Sequence, residues 1–185
     1  IIASVLAGNE ILKVYETNFD VELKNDKSPV TLADKNASDK IIDVLKIFNI
    51  EVLSEEGIHA DYNIRKHWNT LWIVDPLEFT VNIALVENGV PTLGVIFSPV
   101  SNDLYFANKN HGAFKINGVD FKQLVETIET STLDSIISIA QKLPIKNERT
   151  NYVVVASRSH MSSETYTHIN NLKWHHKKVD IVNTG

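Results

Sequence analysis

The stretch that decides the fold is Leu71-Trp72-Ile73-Val74-Asp75-Pro76, then Phe79-Thr80-Val81-Asn82-Ile83-Ala84-Leu85-Val86, Asn88-Gly89 and Val90-Pro91-Thr92-Leu93-Gly94-Val95-Ile96-Phe97. The first piece is a short apolar strand ended by an acid and a proline. The second alternates, with Phe79, Val81, Ile83 and Leu85 on one side and Thr80, Asn82 and Ala84 on the other, which is the period of a strand. Asn88-Gly89 is a hairpin signal, because both residues tolerate the positive φ that a tight turn needs. The third piece is the return strand. Residues 104–107 and 113–116, the latter closed by Asn117-Gly118, extend this into an antiparallel meander. Just upstream, residues 50–53 form another short apolar run, ended by Ser54-Glu55-Glu56-Gly57.

Outside the meander the period becomes helical. Residues 1–16 carry Val5, Leu6, Ile11, Leu12 and Tyr15 near one face. Residues 32–48 show the clearest stripe, with Ala33, Ala37, Ile41, Val44, Leu45 and Phe48 opposite Lys35, Asp39, Asp43 and Lys46. Thr31 with Asp34 three positions on suits an N-terminal capping pair. The polar stretch 20–31, with Ser28-Pro29, reads as a loop or a short hairpin. Residues 152–156 read as a buried strand and 163–172 as a helix, so helices come first, then a meander, then a strand-to-helix unit. The class is mixed α and β, with no internal repeat, low-complexity tract or linker.

Composition narrows the function. The 185 residues are 43% hydrophobic and 22% charged, ordinary for a globular chain. Without a cysteine there is no disulfide, thiolate zinc site, iron–sulfur cluster or cysteine nucleophile. A net charge of -5 argues against nucleic acid as a partner, since phosphate neutralisation needs clustered Lys and Arg. The apolar start at residues 1–7 is too short to cross a bilayer, and no basic region precedes it as in a signal peptide. The chain begins Ile-Ile with a helical pattern already under way, so it is expected to lack its first residues.

The acids are the informative feature. Glu55 and Glu56 sit at the exit of one apolar strand, Asp75 at the exit of another, and Asp34 at the start of the strongest helix. If the two strands are neighbours, their carboxylates converge on one edge of the sheet, where open sheets hold ligands. Crowded carboxylates repel unless a cation intervenes, and oxygen-only ligands select Mg²⁺ or Mn²⁺ over Zn²⁺. Singly, each has a plainer reading: Asp34 as a cap, Glu55-Glu56 as a solvated turn, Asp75-Pro76 as a turn opening. Together they favour a site, because few folds end two buried strands in acids by accident. Ser157-Arg158-Ser159-His160 follows a strand and opens a helix, so it can face an anion or serve as an ordinary cap. His160 and His168 lack carboxylate neighbours and read as non-ligands, and His175-His176-Lys177-Lys178 as solvated surface. A Gly-rich phosphate loop, a His-Glu-x-x-His helix and a Gly-x-Ser-x-Gly elbow are all absent.

Ser28-Pro29-Val30-Thr31 leading to Ala33-Asp34, then Leu53-Ser54-Glu55-Glu56-Gly57, then Trp72-Ile73-Val74-Asp75-Pro76-Leu77 resemble the lithium-sensitive, magnesium-dependent phosphatases of the inositol monophosphatase superfamily. Within it, Leu-Ser-Glu-Glu and Ala156-Ser157-Arg158-Ser159-His160 are similar to the CysQ-type 3′(2′),5′-bisphosphate nucleotidases. There are two departures. In the family Asp-Pro-Leu continues into Asp-Gly-Thr-Lys-Glu-Phe, whereas here Leu77 runs directly into Glu78-Phe79-Thr80, without the second metal aspartate and the catalytic threonine. The chain also stops at Gly185, before the family's Gly-Ser-Ser segment and its later Trp-Asp motif. Either a loop is missing between Leu77 and Glu78, or this is a truncated, inactive relative. The first is preferred, because joining the two strands through Pro76 alone leaves little room for a turn.

The resemblance implies the layered α-β-α-β sugar-phosphatase fold, incomplete at its C-terminus, with a metal-binding domain over 1–130 and the start of a second domain over 131–185. It implies hydrolysis of the 3′-phosphate of adenosine 3′,5′-bisphosphate to AMP. In those roles Glu55, Asp75 and the Leu77 carbonyl bind Mg²⁺, Asp34 activates water, and Glu56 supports the site. Ser157, Arg158, Ser159 and His160 contact the nucleotide. The expected setting is the cytoplasm or the periphery of the inner membrane, as a monomer or homodimer. An inositol monophosphatase or broader sugar phosphatase, and a phosphatase-like binding module without catalysis, remain as alternatives.

Overall fold

A computed structural model describes residues 1–15, 21–23, 29–57, 59–77, 80–118, 132–145, 150–157 and 161–184. They form two compact units, Ile1–Pro144 and Ile145–Gly185. The expected division at residue 130 falls among residues 119–131, outside those described.

The first unit opens with helix α1 (Ile2–Tyr15). Strands β1 (Val21–Leu23) and β2 (Pro29–Thr31) pair antiparallel, which resolves the polar stretch 20–31 as a short hairpin. Helix α2 (Leu32–Leu45) follows at once, and its last turn tightens into a 3₁₀ segment, Lys46–Phe48, where Asn49 takes a left-handed conformation (φ 51°, ψ 41°) and stops the helix. The side chain of Thr31, the expected cap, lies outside the described residues.

A seven-stranded sheet comes next, in the order β3 (Glu51–Ser54), β4 (Thr70–Leu77), β5 (Thr80–Glu87), β6 (Val90–Ser98), β7 (Asp103–Asn108), β8 (Gly112–Ile116) and β9 (Gln141–Leu143). Only β3 and β4 run parallel; every other pair is antiparallel, as the meander requires. Asn88 (φ 52°) and Gly89 (φ 76°) make the β5–β6 turn, both left-handed as a type I′ turn demands. Three short elements carry too little periodicity to read from sequence: α3 (Tyr62–Arg65), α4 (Leu133–Ile139) and β9.

One expectation is corrected. The strand expected to end at Val74 continues through Asp75-Pro76 to Leu77, with Pro76 opposite Val81 and Leu77 opposite Thr80. Proline is tolerated there because β3 pairs only as far as Val74, so that beyond it this side of β4 is an edge. Leu77 stands opposite Thr80, and residues 78 and 79, where a loop was expected to be missing, lie outside the described residues.

The core lies between one face of this sheet and the α1–α2 layer. Trp72, Val74, Val81, Ile83, Val95, Phe97, Leu104, Phe106 and Phe114 alternate onto that face and meet Val5, Ala7, Ile11, Ala33, Ala37, Ile41 and Leu45. Gly8 sets the approach of α1: a Cβ there would come 2.5 Å from the Phe97 ring.

The second unit is a β-α-β motif of β10 (Tyr152–Ser157), α5 (Ser163–His175) and β11 (Val179–Thr184), its two strands parallel with Tyr152 opposite Val179. Strand β10 was expected to be buried, but Ala156 alone of its residues is, and Val155 is 65% exposed. Helix α5 opens at Ser163, where it was expected, and runs on to His175. Ser162 is its N-cap, with Oγ accepting from the Thr165 N–H at 3.3 Å, so Ser157 ends the strand rather than opening the helix. No helix among the described residues is long and apolar enough to cross a membrane.

Candidate active site

The parallel pairing of β3 and β4 carries the site. Ser54 lies opposite Val74, so Glu55 and Asp75 occupy the next register position on two neighbouring strands. The Glu55 N–H donates to the Val74 carbonyl at 3.1 Å, a bond of that last parallel pair, so Glu55 leaves β3 directly beside β4. Glu55 is exposed and Glu56 half-buried in the turn that follows. Asp75 is half-buried, with Oδ1 enclosed. Across the sheet, Asn82 stands directly opposite Asp75, and its Nδ2 donates to the Asp75 carbonyl at 3.1 Å and to Thr80 Oγ1 at 3.3 Å. That clamp fixes β4 at the acid.

Asp34 arrives from another layer. It stands in the first turn of α2, 6% exposed, with Oδ1 enclosed by protein. Ser38, one turn later on the same helical face, shares a buried hydroxyl–hydroxyl hydrogen bond with Ser54 at 2.7 Å. One strut therefore ties the helix that carries Asp34 to the residue just before Glu55. The Ser54 carbonyl also takes the Gly57 N–H at 3.1 Å and His59 Nε2 at 2.6 Å.

Glu55 and Asp75 thus follow the last paired step of two neighbouring strands, and the Ser38–Ser54 bond ties the helix that carries Asp34 to the exit of β3. Leu77 is the last residue of β4, two positions beyond Asp75. Ser157, half-buried, closes β10 in the second unit. Arg158, Ser159 and His160 lie outside the described residues. The available donors are carboxylate and carbonyl oxygens, the set a hard dication takes. Among the described residues no group of three or more His, Cys, Asp or Glu is gathered closely enough to hold a metal, so the arrangement offers a pair rather than a closed cage. Ser38, Asn82 and His59 escaped the sequence reading. Only Ser38 had a signal, its spacing of four from Asp34.

Comparison with known proteins identifies the family. The inositol monophosphatase family matches residues 2–181. The 3′(2′),5′-bisphosphate nucleotidase CysQ of Shigella flexneri is 44% identical over 116 residues, covering 55% of this chain and 47% of the relative. That of Haemophilus influenzae is 34% identical over 147 residues, covering 72% and 54%. The crystal structure of CysQ from Bacteroides thetaiotaomicron superposes with a TM-score of 0.83 at 39% identity, over 99% of this chain and 70% of that one. An IMPase from Thermotoga maritima, at 21% identity and a TM-score of 0.65, shares the fold. The chain spans about half the length of the curated relatives it matches.

Proposed function

The chain belongs to the inositol monophosphatase family, and we propose that it serves as a Mg²⁺-dependent phosphomonoesterase that removes the 3′-phosphate of adenosine 3′,5′-bisphosphate, giving AMP and phosphate. The single observation that carries this reading is that Glu55 and Asp75 each come directly after Ser54 and Val74, the last pair of two parallel neighbouring strands. The choice of substrate leans on the CysQ relatives and on the Leu53-Ser54-Glu55-Glu56 form of the strand exit.

In this reading Glu55, Asp75 and the Leu77 carbonyl hold the ion. Bound Mg²⁺ would neutralise phosphoryl oxygens and offset the chain's charge of -5 against a polyanionic substrate. Asp34 orients the attacking water and accepts its proton, in an enclosed position that keeps the carboxylate from wandering. Glu56 supports the pair from the turn. Ser157, Arg158, Ser159 and His160 contact the nucleotide, with Arg158 suited to a bidentate grip on phosphate. The first unit, Ile1–Pro144, would form the metal-binding domain and the second the start of the C-terminal one, in a cytoplasmic protein.

The β4–β5 hairpin favours a second reading. With Leu77 opposite Thr80, this sequence has no counterpart of the family's second metal aspartate and catalytic threonine. A phosphatase-like module that binds the nucleotide without turnover is therefore the alternative. Phosphate release from adenosine 3′,5′-bisphosphate and from inositol monophosphate, measured side by side in saturating Mg²⁺, decides among the readings. Turnover should favour the nucleotide, and Asp75→Asn should lower it by several orders of magnitude. Near-normal rates in Asp75→Asn would sink the metal assignment, and nucleotide binding with no release would favour the module.

A further inference from the structure

We propose that His59 is a positioning residue for the acids at the exit of β3, acting through the Ser54 carbonyl. This rests on reading Glu55 and Asp75 as a cation-binding pair. Residues 55–57 follow β3 as a turn outside any helix or strand. Three hydrogen bonds fix its root. The Glu55 N–H donates to Val74, the Gly57 N–H to Ser54, and Ser54 Oγ meets Ser38 Oγ in the interior. The bond from His59 to the Ser54 carbonyl, at 2.6 Å, is the one that closes the turn from its far side.

Because a carbonyl only accepts, Nε2 must carry the proton, and the imidazole works here as a neutral or charged donor alike. The carbonyl of a residue that is 3% exposed thereby receives two donors from the segment it precedes. Gly57 and His59 thus both anchor on the carbonyl directly before Glu55. Outer groups that orient ligating carboxylates change metal affinity measurably when removed. His59 is mostly exposed, so its removal need not disturb the core.

The test is Mn²⁺ binding to the full chain, read from the electron paramagnetic resonance of the free ion, alongside thermal unfolding. His59→Ala should weaken Mn²⁺ binding about five- to tenfold, as expected for the loss of one well-aligned hydrogen bond behind a ligand. The melting temperature should stay within about 2 °C. His59→Gln, whose amide can donate from a similar place, should restore most of the affinity. Unchanged binding in His59→Ala, or no recovery in His59→Gln, overturns the positioning role while the cation pair stands. If the unaltered chain binds no Mn²⁺, the cation-pair reading itself fails and the proposal falls with it.

Discussion

The two units of this chain use the same raw material to different effect. Residues 71–74 and 152–156 are both short apolar runs that end in polar groups. In the first unit the run becomes a strand with partners on both sides and helices over one face, and Trp72 and Val74 are 7% and 1% exposed. In the second, the run pairs with one parallel strand only, and Tyr152 and Val155 stay largely open. Strand-forming residues specify a strand; whether it is buried depends on how many neighbours arrive. The first unit closes a core within its own residues. A two-stranded parallel pair with one helix cannot, because parallel strands bury both faces only when helices and further strands cover them.

That contrast can be broken by mutation. Leu104, fully buried on β7, should cost about 2–5 kcal/mol when cut to Ala, whereas Val155→Ala should lie within about 0.5 kcal/mol. Chemical denaturation of both variants checks this, and equal losses would erase the distinction between the units. A smaller effect sharpens the packing of α1. Gly8→Ala sets a methyl against the Phe97 ring and Pro99, so α1 must shift or the ring must turn, at about 1–3 kcal/mol. A stability unchanged from the parent would mean that α1 stands further from β6.

The smallest effect belongs to the second unit. Ser162→Ala removes the cap of α5 and should cost about 1 kcal/mol. Glu164, in the first turn, is held below the ordinary glutamate range by its own backbone N–H, then by the Ser162 and Ser163 hydroxyls. A lowered carboxyl value means stabilisation that is present at neutral pH and lost as pH falls through that value. Melting curves from pH 7 downward should therefore show a shallower acid loss in Ser162→Ala than in the parent. A steeper one would contradict the cap.

Much of the site was legible because it sits where sequence punctuation is strongest. An apolar run followed by acids, twice, gives two strand exits, and a clear helical stripe behind Asp34 gives the third element. The rest was not, for identifiable reasons. A proline inside β4 looked like a terminator, and only the early end of β3 shows why the strand passes through it. His59 meets Ser54 across a turn with no periodicity to announce it. Asn82 faces Asp75 only once the hairpin register is known. The opening of α5 was legible but its cap was not, since Ser157, Ser159, Ser162 and Ser163 are equally good caps on paper.

The amino-acid order alone determined the longer helices and the strands of the meander, which acids stand at strand ends, and that cysteine chemistry is closed to this chain. Those are local properties, written in spacing and side-chain type. The parallel pairing of β3 with β4, the strut from Ser38 to Ser54 and the depth of Asp34 belong to the tertiary structure. Each joins residues far apart along the chain. Such contacts form only when burying one sheet face against two helices outweighs the entropy of closing the loops between them.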